Sequence, residues 1–198
     1  MATTPPTVIV LAGPNGAGKT TAAPRLLRDV LSLAEFVNAD TIAQGLAGFD
    51  PELAALEAGA VMFRRIRELS DLRRSFAFET TLASRSLAPW IAELMQTGYE
   101  FNLVFLWLPA ADLSVQRVAD RVRVGGHEVS EATVRRRYSR GLHNFFYLYQ
   151  PMATTWRMYD NTDVSNIRLI AEGHQDGTSV ISDPPLWVQI RSEHCRDE

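Results

Sequence analysis

The chain has 198 residues, 46% of them hydrophobic, which is enough to build one domain with a buried core. Its formal net charge of −3 excludes a molecule-wide basic surface for nucleic acid, and no apolar run approaches the length of a membrane span. The single cysteine, Cys195, excludes a disulfide framework within the chain and fits a reducing compartment. Because residues 1–7 carry no signal-peptide pattern, we expect a cytoplasmic protein.

Strand and helix patterns alternate along the chain. An apolar, β-branched run over 8–12 predicts a buried parallel strand, and a glycine-rich loop and a helix over about 18–30 follow it. The next predicted elements are a strand over 35–38, a helix over 51–74, a strand over 75–78, a helix over 86–97 with Ser86 as its N-cap, and a strand over 101–108. The remaining ones are helices over 112–124 and 130–149, a short element over 154–159, and strands over 167–171 and 178–181.

This alternation predicts an α/β fold of three layers, in which helices flank a mostly parallel sheet. We expect one domain over 1–198, with a β-hairpin at about 165–183. Ligands of such sheets bind beyond the carboxyl ends of the strands. The glycine-rich loop, Asp40 and residues 79–81 each follow directly after a predicted strand, so we expect them to meet in one crevice.

The glycine-rich loop is a phosphate-binding motif. The pattern G-x-x-x-x-G-K-[ST] is matched by Gly13-Pro14-Asn15-Gly16-Ala17-Gly18-Lys19-Thr20, and Thr21 follows. Glycines let successive amides point at an anion, and the following helix adds its positive N-terminal end. Lys19, the only lysine of the chain, can reach the terminal phosphates, and the Thr20 hydroxyl can ligate Mg²⁺. We therefore predict a site for ATP or GTP with Mg²⁺, since the motif lies between a predicted strand and a predicted helix.

Asp40 is the candidate catalytic base. Phosphoryl transfer depends mainly on positioning and charge neutralisation, often with a carboxylate that takes the proton of the acceptor hydroxyl. Asp40 lies just past the second predicted strand, beside the expected position of the γ-phosphate. An alternative is that Asp40 caps the helix that begins near Thr41, and the two roles are compatible.

Residues 79–81 are candidates for substrate or metal contacts. Glu79 and Thr81 could hydrogen-bond a hydroxylated acceptor, or Glu79 could orient a metal-bound water, while ordinary turn chemistry is the alternative. Arg85 is a candidate for binding a substrate phosphate, although an exposed arginine at a helix end fits equally well.

The segment 117–140 is rich in arginine. It holds seven arginines and three acidic residues in a protein that is acidic as a whole: Arg117, Arg121, Arg123, Arg135, Arg136, Arg137 and Arg140, against Asp120, Glu128 and Glu131. Gly125-Gly126-His127 supplies a flexible joint between two basic helices. The layout favours a lid whose guanidinium groups neutralise the transferring phosphate, with a solvated basic face or a surface for RNA as the alternatives.

Several segments together resemble the zeta-toxin family of P-loop kinases, in particular a branch often labelled "predicted ABC-type ATPase". The segments that carry the resemblance are 13–21, Asn38-Ala39-Asp40, Phe76-Ala77-Phe78-Glu79-Thr80-Thr81-Leu82, Gly98-Tyr99, 117–122, Gly125-Gly126-His127, Arg137-Tyr138 and Tyr159-Asp160-Asn161. They cover about residues 7–170. The chain has no LSGGQ-like signature, so the word "ABC" in that label has no support in the sequence.

The resemblance implies a P-loop kinase fold with an arginine lid. Zeta toxins phosphorylate a sugar hydroxyl of UDP-N-acetylglucosamine and are restrained by a small antitoxin, so a nucleotide-sugar acceptor and an antitoxin partner are implied here. It also implies that Lys19 and Thr20 bind the phosphates and Mg²⁺, that Asp40 is the base, and that Glu79 and Thr81 contact the acceptor. Arg121 or Arg123, with Arg136 or Arg137, would stabilise the transferred phosphate.

Three functions follow as hypotheses. The first is a small-molecule kinase for a nucleotide sugar, with or without a role as a toxin. The second is a kinase for another acceptor, such as a nucleoside, a dinucleotide or a polynucleotide end, the last of which would show steep salt dependence. The third is an ATP-hydrolysing switch module that phosphorylates no acceptor.

Overall fold

The computed structural model describes residues 4–30, 35–47, 54–126, 128–177 and 179–194. One sheet of seven strands runs through it in the order β2-β3-β1-β4-β5-β6-β7. The strands are β1 (Thr7–Ala12), β2 (Phe36–Val37), β3 (Phe76–Thr80), β4 (Glu100–Trp107), β5 (Thr155–Asp160), β6 (Arg168–His174) and β7 (Ser179–Ile181). The first five strands pair in parallel, and β6 and β7 are antiparallel at one edge.

Helices connect the strands. They are α1 (Lys19–Ala23), α2 (Ala39–Leu46), α3 (Ala55–Asp71), α4 (Leu87–Gln96), α5 (Ala111–Arg123), α6 (Glu131–Asn144) and α7 (Pro184–His194). Two π-helical stretches extend α1 and α6, over Pro24–Val30 and Phe145–Tyr149. The predicted α/β class, the parallel sheet and the C-terminal hairpin are thus confirmed. No helix in these described ranges is long and apolar enough to cross a membrane.

The central strand β1 carries the phosphate loop at its carboxyl end. It pairs with β3 on one side and β4 on the other, and its side chains from Val8 to Ala12 are buried. An apolar run of this kind is stable only where both faces of the sheet are covered, which explains its central place. The carboxyl ends of β1, β2 and β3 therefore lie side by side, and the polar segments that follow them share one edge of the sheet.

Some local predictions differ from the structure. The helix predicted over 51–74 is described from Ala55 as α3, and its buried face is formed by Ala58, Met62 and Ile66, while Leu56 is 92% exposed. Ser86 precedes α4 but its side chain makes no capping hydrogen bond. Residues 51–53 and 178, Leu31, Cys195, and His127 of the predicted lid joint lie outside the described residues.

The last helix, α7, was not predicted at all. It packs its buried Trp187 against Trp156 of β5, with ring centroids 5.4 Å apart and an interplanar angle of 13°. Gly173 of β6 lies directly beneath Trp156, where an added Cβ would lie 2.7 Å from the indole ring. The C-terminal segment is therefore part of the core and covers one side of the antiparallel edge.

Candidate active site

The phosphate loop has a backbone shape that only glycine can adopt at two of its positions. Gly13 has φ +140°, and a Cβ there would lie 2.4 Å from the Leu106 carbonyl oxygen. Gly18, the residue before α1, has φ +77°, and a Cβ there would lie 2.7 Å from the side-chain nitrogen Nδ2 of Asn161. Close packing and left-handed backbone both require glycine at these positions, as the motif predicts.

Two side chains outside the motif brace the loop. The buried Asn161 donates its Nδ2 hydrogen bond to the Ala17 carbonyl at 2.6 Å. The Arg117 guanidinium donates to the carbonyls of Gly16 at 3.3 Å, Asn161 at 3.0 Å and Thr162 at 2.6 Å. The loop is therefore tied to α5 and to the end of β5, and this holds its shape independently of a bound ligand.

Lys19, Thr20 and Asn38 converge on the Glu79 carboxylate. The Thr20 hydroxyl donates to Glu79 Oε2 at 3.0 Å, and the Asn38 Nδ2 donates to the same oxygen at 2.8 Å. Lys19 Nζ lies 3.6 Å from Glu79 Oε1 and donates to the Gly13 carbonyl at 2.9 Å. Glu79 is 11% exposed, so these partners offset the cost of burying its carboxylate.

The charge of Lys19 depends on its neighbours. Burial lowers the pKa of the Lys19 ammonium, while the carboxylates of Glu79 and Asp40 act in the opposite direction and raise it. The nearby Arg121 guanidinium lowers it further. An anion in the cavity would therefore favour the charged ammonium, since opposite charges stabilise each other strongly at low dielectric.

Asp40 lies in the first turn of α2, with its side chain exposed to solvent. The helix is capped by Asn38, whose Oδ1 accepts hydrogen bonds from the backbone amides of Asp40 at 2.7 Å and Thr41 at 3.1 Å. The alternative that Asp40 caps this helix is therefore wrong. Its carboxylate is left to interact with the cavity, where its charge acts on both Lys19 and Arg137.

Two adjoining cavities open at this edge of the sheet. The first, of about 360 Å³, is lined by the phosphate loop, by residues 79–81 and by arginines of α5 and α6. The second, of about 380 Å³, lies between α2 and the loop that joins α5 to α6. Asn15, Thr20, Asn38, Ala39, Asp40, Arg121 and Arg137 line both cavities. The crevice predicted from the strand ends is therefore present, and Asp40 stands where its two halves meet.

The structure brings only some of the candidate lid arginines to this crevice. Arg121 and Arg137 line both cavities, and Arg117 lines the first. Arg123 is 77% exposed, pairs with Asp120 at 2.8 Å, and lines neither cavity. Of the pairs considered from the sequence, the geometry thus favours Arg121 with Arg137.

Arg137 sits in a mixed electrostatic environment. Burial and the neighbouring Arg136 lower the pKa of its guanidinium, and the Asp40 carboxylate raises it. An arginine remains charged in any case, so the cost of burying it is offset by a nearby anion. The Asp40 carboxylate is such an anion, and the negative charge of a transferring phosphate would offset the same cost.

Thr81 and Arg85 were both predicted to contact the acceptor, but the structure separates them. Thr81 lines the first cavity together with Glu79. Arg85 is exposed and lines a different surface depression, with Arg140 and His143, rather than either cavity. A direct role for Arg85 beside the reacting groups does not follow from its position.

Two functional side chains were missed as site residues. Asn38 both caps α2 and holds Glu79, and the preference for Asn before a helix that starts with Ala39-Asp40 was a usable signal. Asn161 holds the phosphate loop from 144 positions away in sequence. No local pattern could reveal that contact, because it arises only when β5 lies beside β4 in the sheet.

The residues at the end of the motif fit a magnesium ion. No group of three or more His, Cys, Asp or Glu side chains with metal-binding geometry occurs among the described residues. Magnesium in nucleotide sites is held mostly by phosphates and water, with one or two protein ligands. The Thr20 hydroxyl and the Glu79 carboxylate both line the first cavity, with 3.0 Å between Oγ1 and Oε2, and two such oxygen donors suit this ion.

Solved structures share this fold. The crystal structure of AvrRxo1-ORF1:-ORF2 with ATP is similar over 93% of this chain and 63% of that one, with a TM-score of 0.75 and 17% identity. The chain thus spans less than two thirds of that relative. The PezAT chromosomal toxin-antitoxin system of Streptococcus pneumoniae is similar over 98% of this chain and 80% of that one, with a TM-score of 0.64 and 14% identity.

Sequence comparisons give the family. An uncharacterised protein of Haemophilus influenzae is 25% identical over 130 residues, which cover 66% of this chain and 91% of that protein. The family model described as an AAA domain matches residues 8–140, from β1 through the phosphate loop to α6. The chain belongs to this AAA domain family, and it shares its fold with the AvrRxo1-ORF1:-ORF2 structure.

Proposed function

We propose that this protein is a kinase that transfers the γ-phosphate of ATP to a hydroxyl of a nucleotide sugar such as UDP-N-acetylglucosamine. The observation that carries the proposal is the position of Asp40. Its carboxylate lines both cavities, close enough to Lys19 and Arg137 for its charge to act on each of them. A hydroxyl in the second cavity and a γ-phosphate in the first would meet beside it.

The first cavity is the nucleotide side. Backbone amides of the loop and Lys19 bind the phosphates, with Lys19 exchanging its contacts to the Gly13 and Pro14 carbonyls for phosphate oxygens. GTP in place of ATP would use the same phosphate contacts. AvrRxo1-ORF1:-ORF2, which shares the fold, was crystallised with ATP.

Magnesium would bind at Thr20, and the Glu79 carboxylate, held by Asn38, would accept hydrogen bonds from its water ligands. When bound, the ion neutralises charge on the phosphates. Of the two roles considered for Glu79, the geometry favours this one, because its carboxylate is already held by Thr20, Asn38 and Lys19. Thr81 is the better candidate for contact with the acceptor.

The second cavity is the acceptor side. Apart from the shared residues, Thr41, Ala43, Gln44, Gly126 and Val129 line it. Small side chains leave room for a ring, and Thr41 and Gln44 supply hydrogen-bonding groups for hydroxyls. In the reaction the acceptor oxygen bonds to the γ-phosphorus, its proton passes to the Asp40 carboxylate, and the bond to the β–γ bridging oxygen breaks.

Arg121 and Arg137 would stabilise the transferring group. Both line the two cavities, so their guanidinium groups lie where negative charge spreads over the equatorial oxygens in the transition state. Arg117 also lines the first cavity, but its hydrogen bonds to three backbone carbonyls support a positioning role for the loop.

The test is an incubation of the protein with Mg-ATP and UDP-N-acetylglucosamine, followed by mass spectrometry. We expect a singly phosphorylated nucleotide sugar, and its absence with Asp40→Asn under the same conditions. ATP that binds through Lys19 without any phosphorylated sugar nucleotide would contradict this acceptor. Release of ADP and phosphate alone would favour the ATP-hydrolysing switch instead.

We further propose that the protein acts as a toxin that is restrained by a small antitoxin. It is supported by the resemblance to zeta toxins and by the shared fold with PezAT, which is a toxin-antitoxin system. Expression of the chain in a bacterium should arrest growth, and expression of Asp40→Asn should not. Equal growth with both proteins would contradict a toxic activity.

A further inference from the structure

The glycine pair after α5 forms a hydrogen-bonded helix cap. The backbone N–H of Gly125 donates to the Val122 carbonyl at 2.9 Å. That of Gly126 donates to the Arg121 carbonyl, also at 2.9 Å. Since Gly125 has φ +86°, α5 ends in a left-handed residue with the two bonds of a Schellman motif. The pair expected to be a flexible joint is thus a closed turn that folds back onto the end of the helix.

Gly126 lies directly against the side chain of Arg121. A Cβ added to Gly126 would lie 2.4 Å from Cγ of Arg121, 3.1 Å from its Cδ and 2.9 Å from its carbonyl oxygen. Carbon atoms in favourable contact lie about 3.5–4.0 Å apart, so an added methyl group would displace the stem of this arginine. Gly126 therefore provides the space in which the Arg121 stem lies.

From this position Arg121 reaches the cleft. It lines both cavities, and Gly126 lines the second one beside it. The pKa of Lys19 is lowered by burial and also by the charge of Arg121, so this guanidinium lies within electrostatic reach of the phosphate loop. An arginine has several rotatable side-chain bonds, so packing along its stem determines where the guanidinium lies.

The helix that carries Arg121 is docked on the phosphate loop one turn earlier. Gly16 packs so closely on α5 that a Cβ there would lie 2.9 Å from Cβ of Arg117 and 3.0 Å from the Ser114 carbonyl oxygen. Arg117 also donates to the Gly16 carbonyl at 3.3 Å. Arg117 and Arg121 are four positions apart, so they lie on the same face of α5. The docking fixes the helix, and the cap then restricts the side chain.

We propose that Gly126 is a positioning residue, which directs the Arg121 guanidinium to the transferring phosphate by leaving room for its stem. The inference rests on the proposed phosphoryl transfer, and it gives the glycine pair a role in the reaction rather than in the motion of a lid. The two glycines have separate tasks. Gly125 supplies the left-handed conformation that closes the turn, and Gly126 supplies the space.

The two glycines offer a matched pair of variants. Gly125→Ala forces an alanine into φ +86°, but its methyl group meets no described heavy atom within 4 Å. This variant should lower Tm by about 2–4 °C without moving Arg121. Gly126 lies outside the left-handed region, so the strain of Gly126→Ala comes from the contact with Arg121.

The first measurement uses no acceptor. The probe is the magnesium complex of ADP with aluminium fluoride, which imitates the transferring phosphate, and calorimetry compares its affinity with that of Mg-ADP. Gly126→Ala should bind this complex about tenfold to a hundredfold more weakly than the unchanged protein, as should Arg121→Ala, because a charged donor is lost. The affinity for Mg-ADP should change by less than about threefold, as should both affinities in Gly125→Ala.

A double-mutant cycle separates an action through Arg121 from a direct effect of the added methyl group. In the Arg121→Ala background, Gly126→Ala should weaken binding of the aluminium fluoride complex by less than about threefold. A full second loss, or equal affinities of Gly125→Ala and Gly126→Ala, would overturn the inference. Binding by Arg121→Ala that is as tight as that of the unchanged protein would overturn it as well.

Kinetics with UDP-N-acetylglucosamine locate the effect within the reaction. Gly126→Ala should lower kcat by about tenfold to a hundredfold and leave KM for the nucleotide sugar within about threefold. A rise in KM alone would mean that the methyl group obstructs the acceptor cavity, which contradicts the positioning role. If the unchanged protein phosphorylates no nucleotide sugar, it is the proposed acceptor that fails, and the aluminium fluoride titration still decides the role of Gly126.

Discussion

The nucleotide half and the acceptor half of the cleft differ in how firmly their side chains are held. On the nucleotide side, Lys19 is 6% exposed and makes hydrogen bonds to two carbonyls as well as an ion pair with Glu79. On the acceptor side, Asp40 is exposed, and the second cavity is lined in part by small side chains. The difference teaches that the side chains on the phosphate-loop side are held by contacts within the protein, whereas Asp40, on the side proposed for the acceptor, is exposed.

This contrast follows from the chemistry of each half. Phosphates are the same in every nucleotide, so a rigid set of donors costs no reorganisation when they bind. The proposed acceptor must reach Asp40 from solvent, and the exposed position of that side chain permits this. Substitutions in the two halves should therefore fail in different ways, one in nucleotide binding and the other in turnover.

The largest effect is expected on the acceptor side, at Asp40. Asp40→Asn removes the proton acceptor while keeping the size of the side chain, so the rate of phosphoryl transfer should fall by about 10²- to 10⁴-fold. The affinity for Mg-ATP should change little. Single-turnover kinetics and calorimetry measure the two quantities, and a loss of nucleotide affinity as large as the loss of rate would contradict the division between the halves.

The next effect is expected on the nucleotide side. Lys19→Met keeps the length of the side chain but removes the ammonium group, and Mg-ATP affinity should fall by about a hundredfold. Calorimetric titration with Mg-ATP measures this. Arg191→Met, which removes an exposed cation of α7, is the matched control and should leave the affinity unchanged. An unchanged affinity for Mg-ATP in Lys19→Met would contradict the assignment of this loop as the phosphate-binding site.

A smaller effect is expected at Arg137, which lines both halves of the cleft. Arg137→Ala should lower the rate of transfer by about tenfold to a hundredfold, because the transferring phosphate loses one charged donor. Arg123→Ala is the matched control, since this arginine is 77% exposed and lines neither cavity. Equal rates for the two variants in a steady-state assay would remove Arg137 from the site.

The smallest expected effect concerns stability rather than chemistry. Asn161→Ala leaves the Ala17 carbonyl without its buried donor and should lower the free energy of unfolding by about 1–3 kcal/mol. Urea denaturation measures the change. Asn166 is an exposed asparagine of the segment between β5 and β6. Asn166→Ala should have a free energy of unfolding within about 0.5 kcal/mol of that of the unchanged protein. An equal change in the free energy of unfolding in the two variants would mean that Asn161 does not brace the phosphate loop.

Much of the fold could be predicted because its signals are local. The apolar run over 8–12, the glycine motif and the alternation of strands with helices each depend on a few neighbouring residues. The C-terminal helix α7 was missed, because its helical pattern is weak and its stability comes from Trp187 stacking on Trp156. The exposure of Leu56 in α3 likewise depends on packing, since the spacing of apolar residues alone does not reveal which face of that helix is covered.

The sequence by itself determined the phosphate loop, the α/β class and the convergence of polar groups at one edge of the sheet. These follow from backbone conformation and from the geometry of parallel strands, which a short pattern specifies. Only the tertiary structure decided which arginines reach the cleft and that Asn161 holds the phosphate loop. Those contacts join residues far apart in the chain, and their partners are fixed by packing rather than by any local preference.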